Sequence, residues 1–269
     1  ALKIGMDALW IGARTTVNPF AVQEIADALH GVNIPVMIKN PVNTDLELWI
    51  GAIERIYKTG ITKIAAIHRG FSSYEKTKYR NKPHWEIPIE LKRRIPNLPL
   101  ICDPSHICGT TETLLGIGQT AMDLNYDGLM LESHINPKAA LSDARQQLTP
   151  VELGALLSKI IYRRVSTDDS KFISKLEDFR DKIDQLDETV VNMLAERMEV
   201  SREIGRYKNE NNITILQPGR WDEIVRNREK QGTEKKLTND FVRQLFEIIH
   251  QESIYHQTKV MNTGMMEKN

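Results

Sequence analysis

The first 150 residues alternate between short apolar runs and longer segments with helical spacing. The apolar runs are DALWIGA, IPVMIK, ITKIAAIH, LPLICD and YDGLMLES. They do not alternate between apolar and polar residues as half-exposed strands do. Such continuous apolar runs are typical of parallel strands that are buried on both faces. The segments between them, such as PFAVQEIADALHG and LELWIGAIERIYKTG, place apolar residues on one helical face. The repeated strand–helix order predicts an α/β fold for this part.

The pattern changes after RRVSTDDS, a polar stretch at 163–170 that indicates a linker. From Lys171 to Lys208 the chain has no proline and a single glycine, and apolar residues recur every three or four positions. This stripe comprises Phe172, Leu176, Phe179, Ile183, Leu186, Val190 and Leu194. The predicted helix greatly exceeds the usual ~10–14 residues, so its apolar face is expected to pack on another chain or on long partners. Two more helices, at about 219–231 and 238–260, make this half all-α.

These patterns predict an α/β domain over 1–162, a linker over 163–170, a helical domain over 171–262 and a disordered tail over 263–269. Basic and acidic residues balance at 36 each, which argues against a nucleic-acid partner. No apolar run approaches the ~20 residues of a membrane span, and ALKIGMDALW does not resemble a signal peptide. Two cysteines provide no disulfide framework, so a cytoplasmic location is expected.

Polar side chains follow each of the five apolar runs. In chain order they are Arg14, Lys39, Arg69, His106 and Glu132. The carboxyl ends of the strands in a parallel barrel converge on one face, where active sites are built. Three cations there suit a phosphorylated, carboxylate-bearing substrate, while His106, Glu132 and Asp143 offer ligands for a divalent ion. Taken singly, an arginine or lysine after a strand is usually surface charge, and a lone histidine is more often a structural residue than a ligand. Five polar groups at five strand ends favour a site.

The two cysteines flank the DPSH segment without forming a pair. Cys102 lies inside an apolar run, where it is expected to pack as a small hydrophobic residue. Cys108 follows a proline turn at a spacing that does not match a zinc knuckle. His106 is therefore the predicted ligand of this segment.

Six ordered segments carry a resemblance to a known family. They are GARTT (12–16), IKN (38–40), HRG (68–70), DPSH (103–106), LESH (131–134) and LSDA (141–144). Over about residues 2–155 they resemble the second half of the 3-deoxy-D-arabino-heptulosonate 7-phosphate (DAHP) synthases. That family condenses phosphoenolpyruvate with erythrose 4-phosphate on a (β/α)8 barrel. Another phosphoenolpyruvate-handling barrel, such as a sialic-acid-type synthase, is the alternative, and the GARTT, DPSH and LESH segments disfavour it.

The resemblance implies roles for the strand-end residues. Arg14, Lys39 and Arg69 would bind phosphoenolpyruvate, and His106, Glu132 and Asp143 would be three of four ligands of Mn²⁺ or a similar ion. Such an ion would act as a Lewis acid on the aldehyde carbonyl or on water. The family's fourth ligand, a cysteine in a Gly-Pro-Cys motif, has no counterpart, nor has its early Lys-Pro-Arg segment. With about five of eight strands, the chain reads as a truncated form of a longer protein that would not perform the condensation as written.

Three of the cations on the long helix are candidate site residues. Arg197 and Lys208, eleven residues apart, lie within ~20° of each other around the helix axis, whereas Arg180 lies ~100° away. One helix therefore cannot bring all three cations to one ligand, but two antiparallel copies could. The alternative is an ordinary solvated charged face.

The helical half, across about residues 172–260, resembles the all-helical chorismate mutases. The resemblance is carried by FRDKIDQLDETVVNMLAERMEVSREIGRYK, QPGRWDEI and FVRQLFEIIHQESIYHQ. It implies a three-helix domain that dimerises and rearranges chorismate to prephenate without a cofactor. Arg180 would reach the partner's site, Arg197 would bind a carboxylate, and Lys208 and Gln257 would contact the ether oxygen. Arg220 matches the family's arginine at the start of the second helix and would be a further catalytic residue. Where the family has a glutamate that contacts the substrate hydroxyl, this chain has Trp221. Asp222 and Glu223 follow, and a small shift in register would let one of them take the place of that glutamate.

Both resemblances imply a bifunctional, homodimeric enzyme of the shikimate pathway. Its expected small-molecule partners are phosphoenolpyruvate, erythrose 4-phosphate and chorismate. The alternative is a helical domain without catalysis, which dimerises the synthase and senses a feedback inhibitor.

Overall fold

The computed structural model describes residues 1–74, 77–216 and 218–266, except for the side chains of residues 218, 220, 222 and 263–266. The chain divides into two compact units, Ala1–Ser166 and Thr167–Asn269. Within the described residues, no helix combines the length and apolar character needed to cross a membrane.

The first unit is built on a parallel sheet of five strands in sequential order. The strands are β1 (Leu9–Ile11), β2 (Val36–Lys39), β3 (Ile64–His68), β4 (Leu100–Cys102) and β5 (Gly128–Leu129). Each predicted apolar run thus contains one strand, and the α/β prediction is confirmed. Sequential parallel order is the arrangement of a (β/α)8 barrel, of which five strands are present in the described residues.

Helices connect the strands and cover the sheet. They are α1 (Ala13–Thr16), α2 (Pro19–Ala28), α3 (Leu46–Tyr57), α4 (Glu86–Arg94), α5 (Pro104–Cys108), α6 (Leu114–Asp123) and α7 (Pro150–Leu157), with 3-10 turns at Leu2–Ile4, Pro137–Ala139 and Ala144–Gln146. Side-chain caps fix where several begin: Asn18 and Asp45 accept hydrogen bonds from backbone amides of α2 and α3. Thr149 and Glu152 form a capping box at α7.

The core lies between the sheet and its helices. Val36 and Ile38 of β2 are fully buried, as are Trp49 and Ile56 of α3. The indole of Trp49 donates a hydrogen bond to the Ile38 carbonyl (3.1 Å), so the one polar atom of this large side chain is satisfied inside the core. This packing holds β2 and its carboxyl end in a fixed position.

The second unit is all-α, as predicted. It consists of α8 (Ser170–Glu210), α9 (Pro218–Glu234) and α10 (Asn239–Met266). Asp169 caps α8 by accepting hydrogen bonds from the amides of Lys171 and Phe172, so the helix begins inside the predicted linker. The third helix continues past 260, and residues 263–266, predicted as a disordered tail, are helical. Residues 267–269 lie outside the described part.

The apolar stripe of α8 is largely exposed in the single chain. Phe179, Ile183, Leu186 and Val190 are each at least half exposed. A helix of 41 residues with such a face is not covered by α9 and α10 alone. The exposed stripe leaves room for a second chain.

Candidate functional site

The carboxyl ends of β1, β2, β3 and β4 surround a cleft of about 270 Å³. Its lining includes four residues predicted from their positions after the strands, Arg14, Lys39, Arg69 and His106, and the predicted metal ligand Asp143. Arg80, which follows no predicted strand, also lines it. The cleft therefore combines four cations with an imidazole and a carboxylate.

Arg69 is held in place by its neighbours. Its guanidinium donates to the side-chain oxygen of Asn81 (2.7 Å), and its backbone amide donates to that of Asn40 (2.7 Å). Gly70 permits this arrangement because its φ is +74° and a Cβ would lie 2.9 Å from Asn81. Burial lowers the pKa of Arg69, yet arginine stays charged at any physiological pH. The arrangement keeps a desolvated cation at the end of β3.

His68, just before Arg69, anchors the same strand end. The ring is fully buried, and burial lowers its pKa to about 4, so it is neutral at physiological pH. Its Nε2 lies 2.6 Å from the Pro83 carbonyl, which can only accept, and its Nδ1 lies 2.9 Å from the Tyr126 hydroxyl. Nε2 therefore carries the proton, and Tyr126 donates to Nδ1.

His106, Glu132 and Asp143 converge on one point. One ligand atom from each lies within 4.8 Å of the other two, a spacing that could hold a metal ion. The Nε2 of His106 lies 3.7 Å from a carboxylate oxygen of Glu132. An imidazole with two carboxylates fits a divalent transition ion such as Mn²⁺.

The DPSH segment builds part of this donor set. Pro104 and Asp103 start α5 directly after β4, since Asp103 caps the helix by accepting from the His106 amide (3.1 Å). Ser105 is buried, and its hydroxyl accepts from the Glu132 backbone amide (2.9 Å). The segment thus orients two members of the donor set. Burial would raise the pKa of Asp103, but hydrogen bonds from His106 and Lys39 outweigh it and lower that pKa.

Cys102 and Cys108 are free and buried, one in β4 and one in α5. Burial raises the pKa of both thiols, which keeps them protonated and poor metal ligands. His106 is the residue of this segment that joins the donor set.

Arg80 reaches the cleft from the loop between β3 and α4. Its guanidinium donates to Asp143 (2.7 Å) and to the side-chain oxygen of Gln146 (2.9 Å). The amide of Gln146 in turn donates to Glu132 (2.8 Å). Gly109 ends α5 with φ +72°, and a Cβ there would lie 2.6 Å from Cβ of Arg80. The arginine is linked to two of the donors, and its hydrogen bond to Asp143 lowers the pKa of that carboxyl.

In the helical unit, Arg197 of α8 and Gln257 of α10 lie where these two helices pack together, whereas Lys208 contacts the segment that follows α8. Arg197 donates to the Ser253 hydroxyl, and Lys208 donates to the Ile215 carbonyl (2.6 Å). Gln257 is buried, and among the described residues its side-chain oxygen has no hydrogen-bond partner. Close contact of the helices requires Gly205, where a Cβ would lie 3.0 Å from the Gln257 Cα. A buried side-chain oxygen without a partner is an acceptor that a ligand bearing a hydrogen-bond donor would satisfy.

Arg180 does not join this group within one chain. It is exposed and pairs with Glu177 on its own helix. Seventeen residues separate it from Arg197, which corresponds to ~25 Å along the axis of α8. The side chain of Arg220 lies outside the described residues.

Trp221, in place of the expected glutamate, stacks on His250 of α10. The two rings are parallel within 18°, with centroids 4.3 Å apart. Burial and the nearby Arg197 lower the pKa of His250. An aromatic pair therefore occupies the place where the resemblance predicts a carboxylate.

Two families match the two halves of the chain. The DAHP synthetase I family matches residues 4–165, and chorismate mutase type II matches residues 179–258. The first match covers more than half of the chain, and the boundary between the matches falls where the two compact units meet.

Individual relatives agree with this division. Phospho-2-dehydro-3-deoxyheptonate aldolase of Thermotoga maritima is 31% identical over 142 residues, which are 53% of this chain and 40% of that protein. A bifunctional chorismate mutase/prephenate dehydratase of Buchnera aphidicola subsp. Acyrthosiphon pisum is 32% identical over 83 residues, which are 31% of this chain and 22% of that protein. The chain thus spans less than half the length of either relative.

A solved structure shares the fold of the first unit. It is a truncated form of 3-deoxy-D-arabino-heptulosonate 7-phosphate synthase from Thermotoga maritima, with 28% identity and a TM-score of 0.51. The match covers 57% of this chain and 56% of that one. By these matches the chain belongs to the DAHP synthetase I family and carries a chorismate mutase type II domain on the C-terminal side of the strand-containing unit in the sequence.

Proposed function

We propose that this chain is part of a bifunctional enzyme with a DAHP synthase site at the strand ends and a chorismate mutase site in the helical domain. The observation that carries the first site is the donor set His106, Glu132 and Asp143, whose ligand atoms lie within 4.8 Å of one another. Two of these residues also line the cleft that contains Arg14, Lys39 and Arg69.

The cations of the cleft suit phosphoenolpyruvate. Its phosphate and its carboxylate each offer two oxygens that one guanidinium group can bind through a pair of hydrogen bonds. Arg14 and Arg69 provide such groups, and the ammonium of Lys39 adds a point charge. Together they would hold the substrate with its reactive carbon toward the metal ligands.

The donor set suits a divalent ion. His106, Glu132 and Asp143 provide one nitrogen and two carboxylates, and Mn²⁺ accepts both. Such an ion would supply Lewis-acid polarisation of the aldehyde carbonyl of erythrose 4-phosphate. The three side chains would fix its position, while the cations hold the second reactant, so that proximity and orientation lower the barrier. The condensation itself is expected of a protein that also provides the remaining strands of the barrel.

Arg80 is the fourth cation of the cleft and is expected to bind the anion directly. Replacing it with glutamine (R80Q) should weaken phosphoenolpyruvate binding about tenfold, because one charge-assisted hydrogen bond contributes ~1.5–3 kcal/mol. Isothermal titration with phosphoenolpyruvate measures this change. R93Q is the matched control, since Arg93 is exposed on α4 and pairs with Glu90. Equal affinities of R80Q and the unchanged chain would show that Arg80 serves only Asp143.

The helical domain offers the groups that a Claisen rearrangement needs. The reaction requires no nucleophile, so catalysis consists of holding a compact conformer and stabilising charge on the ether oxygen. Arg197 would bind a carboxylate of chorismate, and Lys208 and Gln257 would donate to the ether oxygen. Arg180 would complete the site from a second copy of α8.

The second candidate is a helical domain that binds prephenate or chorismate without turning it over. The observation that favours it is Trp221, which cannot accept a hydrogen bond from the substrate hydroxyl as a glutamate would. In this case the domain would act as an inhibitor sensor for the synthase.

Two measurements on the purified chain test the proposal. Mn²⁺ titration should show one site per chain, and chorismate should be converted to prephenate. Absence of Mn²⁺ binding would overturn the proposed metal site. Chorismate binding without turnover would favour the sensor, which predicts that prephenate inhibits the condensation in the full-length enzyme but not in a variant ending near residue 165.

A further inference from the structure

Asp103 lies between the predicted metal-binding residues and the predicted phosphoenolpyruvate-binding residues of the cleft. Its side chain is almost completely buried at the junction of β4 and α5. One carboxylate oxygen, Oδ2, accepts from the ammonium of Lys39 (2.8 Å) and lies 2.9 Å from Nδ1 of His106. The other oxygen, Oδ1, accepts from the backbone amide of His106 (3.1 Å) and also lies 3.1 Å from Nδ1 of its ring. A single carboxylate thus contacts a predicted metal ligand and a predicted substrate-binding cation.

The contact to His106 determines which ring nitrogen is available to a metal. An ionised carboxylate can only accept hydrogen bonds, so Nδ1 of His106 must donate and carry the ring proton. Nε2 then bears a free lone pair, and it is Nε2 that faces Glu132 at 3.7 Å. Carboxylates that fix the tautomer of a metal-binding histidine in this way strengthen metal binding.

Helix capping alone does not explain an aspartate at this position. The cap uses only Oδ1, and asparagine or serine would satisfy the His106 amide equally well. Burying a full negative charge is costly unless it is paired and hydrogen-bonded. The ion pair of Oδ2 with Lys39 is what an ionised group adds here, while Nδ1 of His106 lies within hydrogen-bond distance of both oxygens.

We propose that Asp103 is a positioning residue that orients Nε2 of His106 toward the metal and holds Lys39 beside it. The proposal rests on the proposed function of this cleft. Asp103 touches neither substrate nor metal; it acts through the two side chains that do. It connects the metal-binding and anion-binding parts of the cleft through one buried group.

The test is the substitution D103N, which keeps one acceptor oxygen for the helix cap. Mn²⁺ affinity, measured by isothermal titration, should fall about 10–100-fold, the usual loss when such a partner is removed. D127N is the matched control: Asp127 also accepts from a lysine, Lys92 (2.5 Å), and a backbone amide, that of Leu100 (2.8 Å), but it lies at the amino end of β5. D127N should bind Mn²⁺ as the unchanged chain does.

A second readout does not depend on the metal. Nitrogen-15 spectra of the histidine rings at pH 8, with H106Q to assign the signal, report which nitrogen of His106 carries the proton. We expect the proton on Nδ1 in the unchanged chain and a mixture of both tautomers in D103N. A purely structural Asp103 would lower thermal stability in D103N and leave the tautomer as it was.

The outcomes separate this inference from the function on which it rests. If the unchanged chain fails to bind Mn²⁺ but His106 carries its proton on Nδ1, the proposed metal site is wrong and the positioning of His106 still stands. If the chain binds Mn²⁺ and D103N binds it equally well, the inference is overturned. A proton on Nε2 in the unchanged chain overturns it too.

Discussion

Replacing Arg197 with alanine (R197A) is expected to lower kcat/KM for chorismate about 10²–10³-fold, the usual loss when one preorganised donor is removed from an active site. The guanidinium of Arg197 is fixed against α10, where it donates to the Ser253 hydroxyl and lies 3.5 Å from the Ile249 carbonyl. A cation held in this way needs little reorganisation to bind a carboxylate. The loss of chorismate absorbance under initial-rate conditions measures the effect.

R206A is the matched control for R197A. Arg206 lies nine residues further along α8, is exposed and has Glu199 3.5 Å away. Its removal should leave kcat/KM within about twofold, because exposed ion pairs contribute little. If R197A and R206A behave alike, Arg197 does not bind the substrate. If the unchanged chain binds chorismate without converting it, the sensor function replaces the mutase.

The strands of the first unit could be predicted because they are buried on both faces. Each of the five apolar runs contains one strand, and the structure orders them as the chain does. The helix ends were less accurate. Asp169 caps α8 inside the predicted linker, and α10 runs to Met266, six residues beyond the predicted end. The ends of helices contain few apolar residues and therefore show little periodicity in the sequence. Tertiary contacts and capping residues determine where such helices begin and end.

The strand-end residues of the cleft were predictable from position alone, because parallel strands bring their carboxyl ends together. Arg80 was not, because its loop carries no period and its place depends on contact with Gly109. Asp103 belongs to the DPSH segment, but this sequence does not indicate that one carboxylate oxygen of Asp103 contacts both Lys39 and His106. Such roles depend on distances between residues far apart in sequence.

The helical site was predictable only in part. The spacing of Arg197 and Lys208 places them on one face of α8, and α10 meets that face through Ser253 and Gln257. The stacking of Trp221 on His250 could not be predicted, since it joins α9 to α10. Arg180 lies far from the other predicted site residues within one chain. Its predicted role depends on a second copy.

The exposed stripe of α8 predicts the second large effect, the loss of a dimer. Leu186 is 64% exposed in the single chain, midway along the stripe. Burying such a side chain contributes ~1.5–3 kcal/mol, and a twofold interface contains it twice. The substitution L186D should therefore cost ~3–6 kcal/mol and raise the dimer dissociation constant about 10²–10⁴-fold. Sedimentation velocity over a range of concentrations measures this change.

Mutase activity should fall together with the dimer in L186D, because Arg180 lies ~25 Å along the helix from Arg197 and is proposed to come from the other copy. Q185D introduces the same charge one position away, ~100° around the helix, and should keep both the dimer and the activity. A monomeric L186D that still converts chorismate would show that one chain builds the whole site. An L186D that remains dimeric would show that the stripe is not the interface, and the partner that covers it would have to be something other than a second α8.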